Sequence, residues 1–238
     1  MSGHSKWANI KHRKASQDAK RGKAFTRIGK EITVAAKQGG KDPETNFRLR
    51  SLIDKARAAN MPIDNIERSI KRGTGELPGV SYEEQTYEGY GPEGSTVIVE
   101  CLTDNKNRTV AAIRHLFSAN SGNLAETGSV SWMFNKKGVI RTKKGNLTED
   151  DFIEQLMDFD VDDISIDDNT VTISVNMKQL DMVRKVLKDT GHKIESADVE
   201  WVAKTLVEVP ENKEDKVIAF LERIEDMDDV QNVYSNLK

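Results

Sequence analysis

The chain has 238 residues, of which 37% are apolar and 32% are charged, and its formal net charge is -3. This composition is typical of a soluble globular protein of more than one domain, and no apolar run approaches the about 20 residues that a membrane-spanning helix needs. A single cysteine, Cys101, excludes an internal disulfide, so we expect a reducing compartment, the cytoplasm. Because no apolar run is long enough to span a membrane, we expect no membrane partner.

The charge is distributed unevenly along the chain. Residues 1–78 contain 18 basic and 8 acidic side chains, whereas the remaining residues contain 18 basic and 31 acidic ones. The first 30 residues alone contain nine Lys or Arg and one acidic residue. Such asymmetry indicates a polyanionic partner for the N-terminal part of the chain.

Residues 1–78 predict a basic tail followed by a small helical bundle. About 15 residues at the start have no periodicity of their own, and three amphipathic helices follow over residues 24–36, 43–59 and 62–73. The expected apolar stripes are Phe25, Ile28, Ile32, Ala35 and Ala36 on the first helix, Leu49, Leu52, Ile53 and Ala56 on the second, and Ile63, Ile66 and Ile70 on the third. Because short helices of this kind bury their stripes only against each other, we expect a compact bundle with a basic exterior.

Mixed strands and helices follow a linker at residues 73–79. We predict strands at 82–88 and 95–102 and a helix at 108–119, and near the end of the chain a helix at 213–224 and a strand at 230–234. Between them we predict strand 137–142, helix 149–158, strands 163–166 and 170–175, helix 178–190 and strand 197–202, which is the βαββαβ order of a ferredoxin-like domain. The expected fold is therefore multidomain α and α+β, with a discontinuous α+β domain at 79–135 and 205–238 and the ferredoxin-like domain inserted at 136–204.

No motif in the sequence predicts catalysis. The run GYGPEG at residues 89–94 matches the dinucleotide pattern G-x-G-x-x-G, but a strand follows it instead of a helix, so we predict a hairpin turn. The four histidines lack neighbouring metal ligands, and Cys101 lies within an apolar strand pattern. We therefore expect no catalytic residues, no metal, no cofactor and no enzymatic activity. The alternative is an unrecognised enzyme with its site in a cleft between the two α+β domains.

The strongest functional signal is the basic N-terminal region, where the first predicted helix has a basic stripe opposite its apolar one. The predicted nucleic-acid-binding residues are Lys6, Trp7, Lys11, Arg13, Lys14, Lys20, Lys23, Arg27 and Lys30. The cations would neutralise phosphates, and Trp7 would stack on bases or wedge between them. In the alternative, Trp7 and Ile10 fold back to cover the bundle and the lysines only aid solubility. We expect replacement of Lys23, Arg27 and Lys30 by Glu to abolish binding while the fold survives.

Five stretches of the sequence resemble the YebC/PmpR family. They are GHSKWANIKHRK at 3–14, ANMPIDNIERSIKRG at 59–73, YEGYGPEG at 87–94, TDNKNRT at 103–109 and GSVSWMF at 128–134. The resemblance implies three domains, with the last one ferredoxin-like and inserted into the second, and a cytoplasmic DNA-binding transcriptional regulator without cofactor. Relatives that include a mitochondrial translational activator of cytochrome c oxidase are tied instead to the ribosome and to relief of stalling at proline runs.

These observations favour a non-enzymatic nucleic-acid-binding regulator of gene expression, whose partner is duplex DNA or ribosomal RNA, with ribosomal proteins as a further candidate partner. A DNA-binding regulator normally gains specificity by dimerising across two half-sites, and the sequence shows no clear dimer element, so a monomer is slightly favoured. A ribosome-associated translation factor is the first alternative. A protein interaction adaptor, whose basic arm only recruits it to polyanions, is the second.

Overall fold

The computed structural model of the chain describes residues 5–15 and 21–238, and it gives residues 11–15 and 21 by their backbone alone. Its first helix, α1 (Lys6–Ala15), lies where the sequence predicts a tail without a regular element. The amide of Lys6 donates to the carbonyl oxygen of Leu237 at 2.8 Å, and Trp7 is buried against the last strand of the chain. The prediction of a tail was wrong because this helix packs on a distant apolar surface and needs no long stripe of its own.

Three further helices, α2 (Arg21–Gly39), α3 (Phe47–Ala58) and α4 (Ile63–Gly73), form the predicted bundle. Asn46 joins α2 to α3, since its side chain accepts from the amide of Leu49 at 3.0 Å and donates to the carbonyl of Ala35 at 2.8 Å. The buried core is Ile28, Ile32, Ala35, Leu49, Leu52, Ala56, Met61 and Ile66. Ile63, which the sequence assigns to the buried stripe of α4, is instead 68% exposed because it begins the helix and points away from α2.

The next domain is a four-stranded antiparallel sheet with the order β3-β1-β2-β8. Its elements are β1 (Glu83–Tyr90), β2 (Thr96–Thr103), α5 (Lys106–Ala119), β3 (Asn123–Ala125) and, at the end of the chain, α8 (Glu211–Glu225) and β8 (Val230–Ser235). A short 3-10 turn at Pro92–Gly94 joins β1 to β2, which confirms that GYGPEG forms a hairpin. Strand β3 lies between the predicted helix at 108–119 and the predicted strand at 137–142, where the sequence predicts neither a helix nor a strand.

Strand β2 is buried on both faces. Val97 and Val99 face the helices α5 and α8, where the rings of Phe117 and Phe220 meet edge to face at 5.0 Å between centroids. Ile98 faces the other way and packs in a separate core with Phe134 of the third domain and Tyr234 of strand β8. The double burial explains why this strand is a continuous apolar run and not an alternating one.

The third domain is inserted between β3 and α8 and has the ferredoxin-like sheet order β5-β6-β4-β7. Its elements are β4 (Phe134–Lys143), α6 (Glu149–Gln155), β5 (Val161–Asp167), β6 (Thr170–Val175), α7 (Leu180–Asp189) and β7 (Ile194–Ala203). Helices α6 and α7 cover one face of the sheet, with Phe152, Val183 and Leu187 fully buried. The predicted multidomain α and α+β fold is confirmed, whereas the exact domain limits stay predictions. Within the described residues no helix is long and apolar enough to cross a membrane.

Candidate nucleic-acid interface

The basic stripe of α2 is packed against the second domain. Lys23 Nζ lies 3.1 Å from the carbonyl oxygen of Asp226 and 3.0 Å from its Oδ1, and the guanidinium of Arg27 donates to the carbonyl oxygen of Glu225. Helix α8 ends at Glu225, where the last carbonyl groups of a helix lack partners and carry partial negative charge. The stripe therefore satisfies the C-terminal end of α8.

Lys30 continues this contact in a buried position. Its Nζ lies 2.9 Å from the carbonyl oxygen of Asp228 and 3.1 Å from Oδ1 of Asp229. The Asp229 carboxylate also accepts from Arg108 and from the hydroxyl of Thr109, each at 2.8 Å. Burial alone would raise the pKa of Asp229, but the hydrogen bonds from Arg108, Thr109 and Lys30 lower it to about 2. The carboxylate thus stays ionised and links the bundle to the start of α5.

The structure uses these cations differently from the sequence prediction. Because Lys23, Arg27 and Lys30 contact the end of α8 and the loop after it, we expect their replacement by Glu to destabilise the fold, in contrast to the sequence-based expectation that the fold survives. Lys6 pairs with Glu214 at 2.7 Å. The side chains of Lys11, Arg13 and Lys14, and all of Lys20, lie outside the described residues.

Trp7 does not offer a ring to a base. It is 1% exposed, and its indole Nε1 donates to the carbonyl oxygen of Val233 at 2.9 Å. Trp7 and Ile10 do fold back, as in the alternative above, but they cover the core of the second domain and not the bundle. The indole also occupies an edge of β8 that would otherwise expose an unpaired carbonyl.

Other cations, which the sequence reasoning overlooked, face outward on α4. Arg68, Lys71 and Arg72 are exposed, lie three and four positions apart on one side of the helix, and make no ion pair within the described residues. Asp64 and Glu67 precede them, so the positive charge is concentrated at the C-terminal end of α4. These cations belong to the stretch ANMPIDNIERSIKRG, whose isoleucines predict the apolar stripe of α4.

A cleft of about 810 Å³ lies where the three domains meet. Its charged side chains pair with each other: the Arg141 guanidinium binds both oxygens of Glu200, and Lys55 lies 3.4 Å from Asp198. Burial would lower the pKa of Lys55, but Glu31 and Asp198 raise it above its usual value.

The cleft residues whose pKa is shifted are shifted away from neutrality. Burial alone would lower the pKa of Arg141, but Glu200 raises it above its usual value. Burial raises the pKa of the Cys101 thiol to about 12. A general base needs a pKa near neutrality, and no pKa shift among the described residues of the cleft moves a group in that direction. Among the described residues no cluster of His, Cys, Asp and Glu could hold a metal ion.

Comparison with known proteins shows similarity over nearly the whole chain. A family model described as the TACO1/YebC protein N-terminal domain matches residues 5–76, and one described as the TACO1/YebC second and third domain matches residues 82–237. A probable transcriptional regulatory protein of Dictyoglomus turgidum is 52% identical over 237 residues, which are 99% of this chain and 95% of that protein.

Two further proteins are similar over nearly the whole length of this chain. The probable transcriptional regulatory protein CT1665 of Chlorobaculum tepidum is 50% identical over 238 residues, covering 100% of this chain and 95% of its own length. The crystal structure of the conserved hypothetical protein Aq1575 from Aquifex aeolicus superposes with a TM-score of 0.89 at 41% identity, covering 98% of this chain and 97% of the other.

Proposed function

The chain belongs to the TACO1/YebC family, and we propose that it is a non-enzymatic, nucleic-acid-binding regulator of gene expression that acts in the cytoplasm as a monomer. The relatives are named probable transcriptional regulatory proteins, which supports a regulatory role. The observation that carries nucleic-acid binding is the excess of ten positive charges in residues 1–78, part of which remains unpaired and exposed on α4. A polyanion is the partner that compensates such a surface.

Arg68, Lys71 and Arg72 are the cations that we assign to phosphate contacts. They lie in the last two turns of α4, where their charge complements the helix dipole. Lys37 on the neighbouring helix adds a charge, and its Nζ donates to the neutral hydroxyl of Ser81 at 2.6 Å. Contacts of this kind position a nucleic acid but do not read its sequence.

The arrangement of charges on α4 favours RNA over duplex DNA as the partner. A recognition helix enters the major groove with its N-terminal residues, and on α4 those turns carry Asp64 and Glu67, which would be repelled by phosphates. Helix α2 is longer and more basic, but Lys23, Arg27 and Lys30 are engaged by the end of α8 and by the loop that follows it. The second candidate function is therefore a translation factor associated with ribosomal RNA and, through its other domains, with ribosomal proteins.

The experiment that tests the proposal is co-sedimentation of the purified protein with intact ribosomes at near-physiological salt, with excess duplex DNA as competitor. Fluorescence anisotropy with labelled RNA and duplex DNA over a salt series accompanies it. The test variant replaces Arg68, Lys71 and Arg72 by Ala. The matched control replaces three exposed lysines of the ferredoxin-like domain, which also make no ion pair within the described residues, namely Lys178, Lys185 and Lys188.

We expect the α4 variant to lower the slope of log affinity against log salt by about 2 to 3, because about one counterion is released for each phosphate contact. The control variant should bind as the wild type does. Sedimentation that survives the DNA competitor supports the ribosomal target, and loss to the competitor supports duplex DNA. If both variants and the wild type bind equally well, the α4 surface is not the interface. If no nucleic acid binds at all, the adaptor hypothesis replaces the proposal.

A further inference from the structure

A buried carboxylate fixes the loop between β3 and β4. Glu88 is 3% exposed, and its two oxygens accept from the amides of Gly128 at 2.9 Å, Val130 at 2.8 Å and Ser131 at 2.7 Å. Burial would raise the pKa of Glu88, but these backbone hydrogen bonds lower it, so the group remains a charged acceptor. Three charge-assisted bonds to one side chain make this loop a rigid support.

Two aromatic side chains share one hydrogen-bond acceptor in this loop. The indole Nε1 of Trp132 donates to the carbonyl oxygen of Ser129 at 3.0 Å, and the hydroxyl of Tyr90 donates to the same oxygen at 3.1 Å. Trp132 is 66% exposed and Tyr90 is 42% exposed. Because the polar atoms of both rings already have partners, the aromatic faces are what these side chains offer to a ligand. We call the rings of Trp132 and Tyr90 the aromatic platform.

Trp132 is the one tryptophan of the chain whose ring is largely open to solvent. Trp7 lies in a core, and the Nε1 of Trp201 donates to Glu100 at 3.0 Å while Lys136 Nζ lies 4.6 Å from the centre of its ring. Because the loop holds the indole outward, a large apolar surface stays in contact with water in the free protein, which is unfavourable. A bound partner that covers the ring recovers that free energy.

The surroundings of the aromatic platform fit a nucleobase better than a protein surface. Near Trp132 in the chain, Val130 and Phe134 are buried, Met133 is half-buried, and the exposed residues at 126–128 are Glu, Thr and Gly, so residues 126–134 add no exposed apolar patch around the Trp132 ring. Protein interfaces are built around such a patch, whereas an unpaired base needs only a flat aromatic face. Lys204 lies beside the platform, with its Nζ 2.6 Å from the carbonyl oxygen of Trp132, and has further N–H donors for a phosphate.

We propose that the aromatic platform stacks on an unpaired base of a single-stranded nucleic acid, and that Lys204 contacts a neighbouring phosphate. This inference rests on the proposed function and makes it more specific, because a duplex with all its bases paired offers no base to Trp132. RNA and single-stranded DNA share the chemistry of the base, so the test includes both.

The test measures binding of the full chain to three labelled strands of the same length: single-stranded RNA, single-stranded DNA and a strand without bases. Trp132→Ala is the test variant, Trp132→Phe keeps an aromatic face, and Met157→Ala is the control because Met157 is 74% exposed in a different domain. Stacking on one base predicts that Trp132→Ala weakens binding of a base-containing strand by about 5- to 150-fold. The strand without bases should bind all variants equally, and Trp132→Phe should recover most of the affinity.

Fluorescence of the wild-type protein gives an independent readout. We expect the base-containing strand to quench Trp132 and to shield it from acrylamide, and the strand without bases to do neither. If the wild type binds single strands in a salt-dependent way and Trp132→Ala binds equally well, the proposal that the aromatic platform stacks on a base is wrong and the proposed function stands. If a saturating concentration of the base-containing strand leaves the quenching of Trp132 by acrylamide unchanged, the stacking proposal is likewise wrong. If the wild type binds none of the strands and no duplex, both proposals fail.

Discussion

The ammonium nitrogen of Lys30 lies 3.1 Å from Oδ1 of Asp229, and this pair joins the helical bundle to the loop before the last strand. Both side chains are nearly buried, at 10% and 13% exposure. On the same helix, the pair of Lys23 and Asp226 is about half exposed. The two pairs have the same chemistry and nearly the same length, so they separate the effect of burial from that of charge.

We expect Lys30→Ala to lower the free energy of unfolding by about 1.5 to 3 kcal/mol, because it removes a charged hydrogen-bond donor from Asp229 and leaves Arg108 as its remaining cation. Lys23→Ala should cost less than about 1 kcal/mol, since water screens the exposed pair. Urea unfolding of the two variants at neutral pH checks this. Equal losses in both variants would show that the Lys30 pair is no more important than a surface pair.

The stability that Asp229 contributes depends on pH. Its pKa of about 2 in the folded chain lies below its usual value of 3.8, so the contribution is fully present above pH 4 and is lost as the pH falls toward 2. The contribution is at most about 2 kcal/mol after solvent screening is considered. We expect the difference in unfolding free energy between wild type and Asp229→Asn to shrink between pH 5 and pH 2.5. A difference that is constant over this range would contradict the assignment.

Trp7 should matter for stability and not for binding. Trp7→Ala removes a buried ring from the second core, which we expect to cost about 3 to 5 kcal/mol in urea unfolding. Trp7→Phe keeps most of the packing and loses the bond to Val233, so it serves for binding measurements. We expect its affinity for RNA to stay within about twofold of the wild type. A large loss of affinity in a folded Trp7→Phe protein would restore the stacking role that the sequence suggested.

Glu88→Gln tests the rigidity of the loop under Trp132. The amide nitrogen of Gln would face at least one backbone N–H that now donates to a carboxylate oxygen, so that at least one of the three bonds is lost. We expect faster hydrogen exchange at Gly128, Val130 and Ser131 and unchanged exchange in the bundle. Unchanged protection of these three amides would mean that other contacts hold the loop.

Cys101 should be inert in the folded protein. Its thiol is 2% exposed, and burial raises its pKa to about 12, so about one molecule in ten thousand carries the thiolate at pH 8. We expect no reaction with a thiol reagent in buffer and one thiol per chain in urea. Rapid labelling of the native protein would reveal an opening of the second domain that the packing does not suggest.

Apart from α1 and β3, the order of elements was predictable from the sequence because each of the other helices and strands has its own apolar periodicity. Strand 170–175 agrees with the structure to the residue, and the ferredoxin-like domain follows from alternating strand and helix patterns. Helix α1 was missed because its main apolar contact, Trp7, uses a strand 226 positions away. Strand β3 was missed because three residues in a polar loop carry no period.

The candidate site was less predictable than the fold, for a physical reason. A cation in a sequence looks the same whether its partner is a phosphate or a carbonyl group at the end of a distant helix. Arg27 and Lys30 find such carbonyls 198 positions away, which no local pattern reveals. Conversely, the loop that contains the exposed Trp132 is bonded to Glu88, which lies forty positions before Gly128.

The long-range pairing of the second domain also sets an order of events during synthesis on the ribosome. Val97 pairs with Ser235, so the sheet that contains β2 lacks an edge strand until β8 has been synthesised. The inserted domain at 134–203 has all of its strands before that point and can fold first, because its contacts are closer in sequence. Trp7 is synthesised well before the residues of α8 and β8 that bury it, so α1 can dock only after those elements are present.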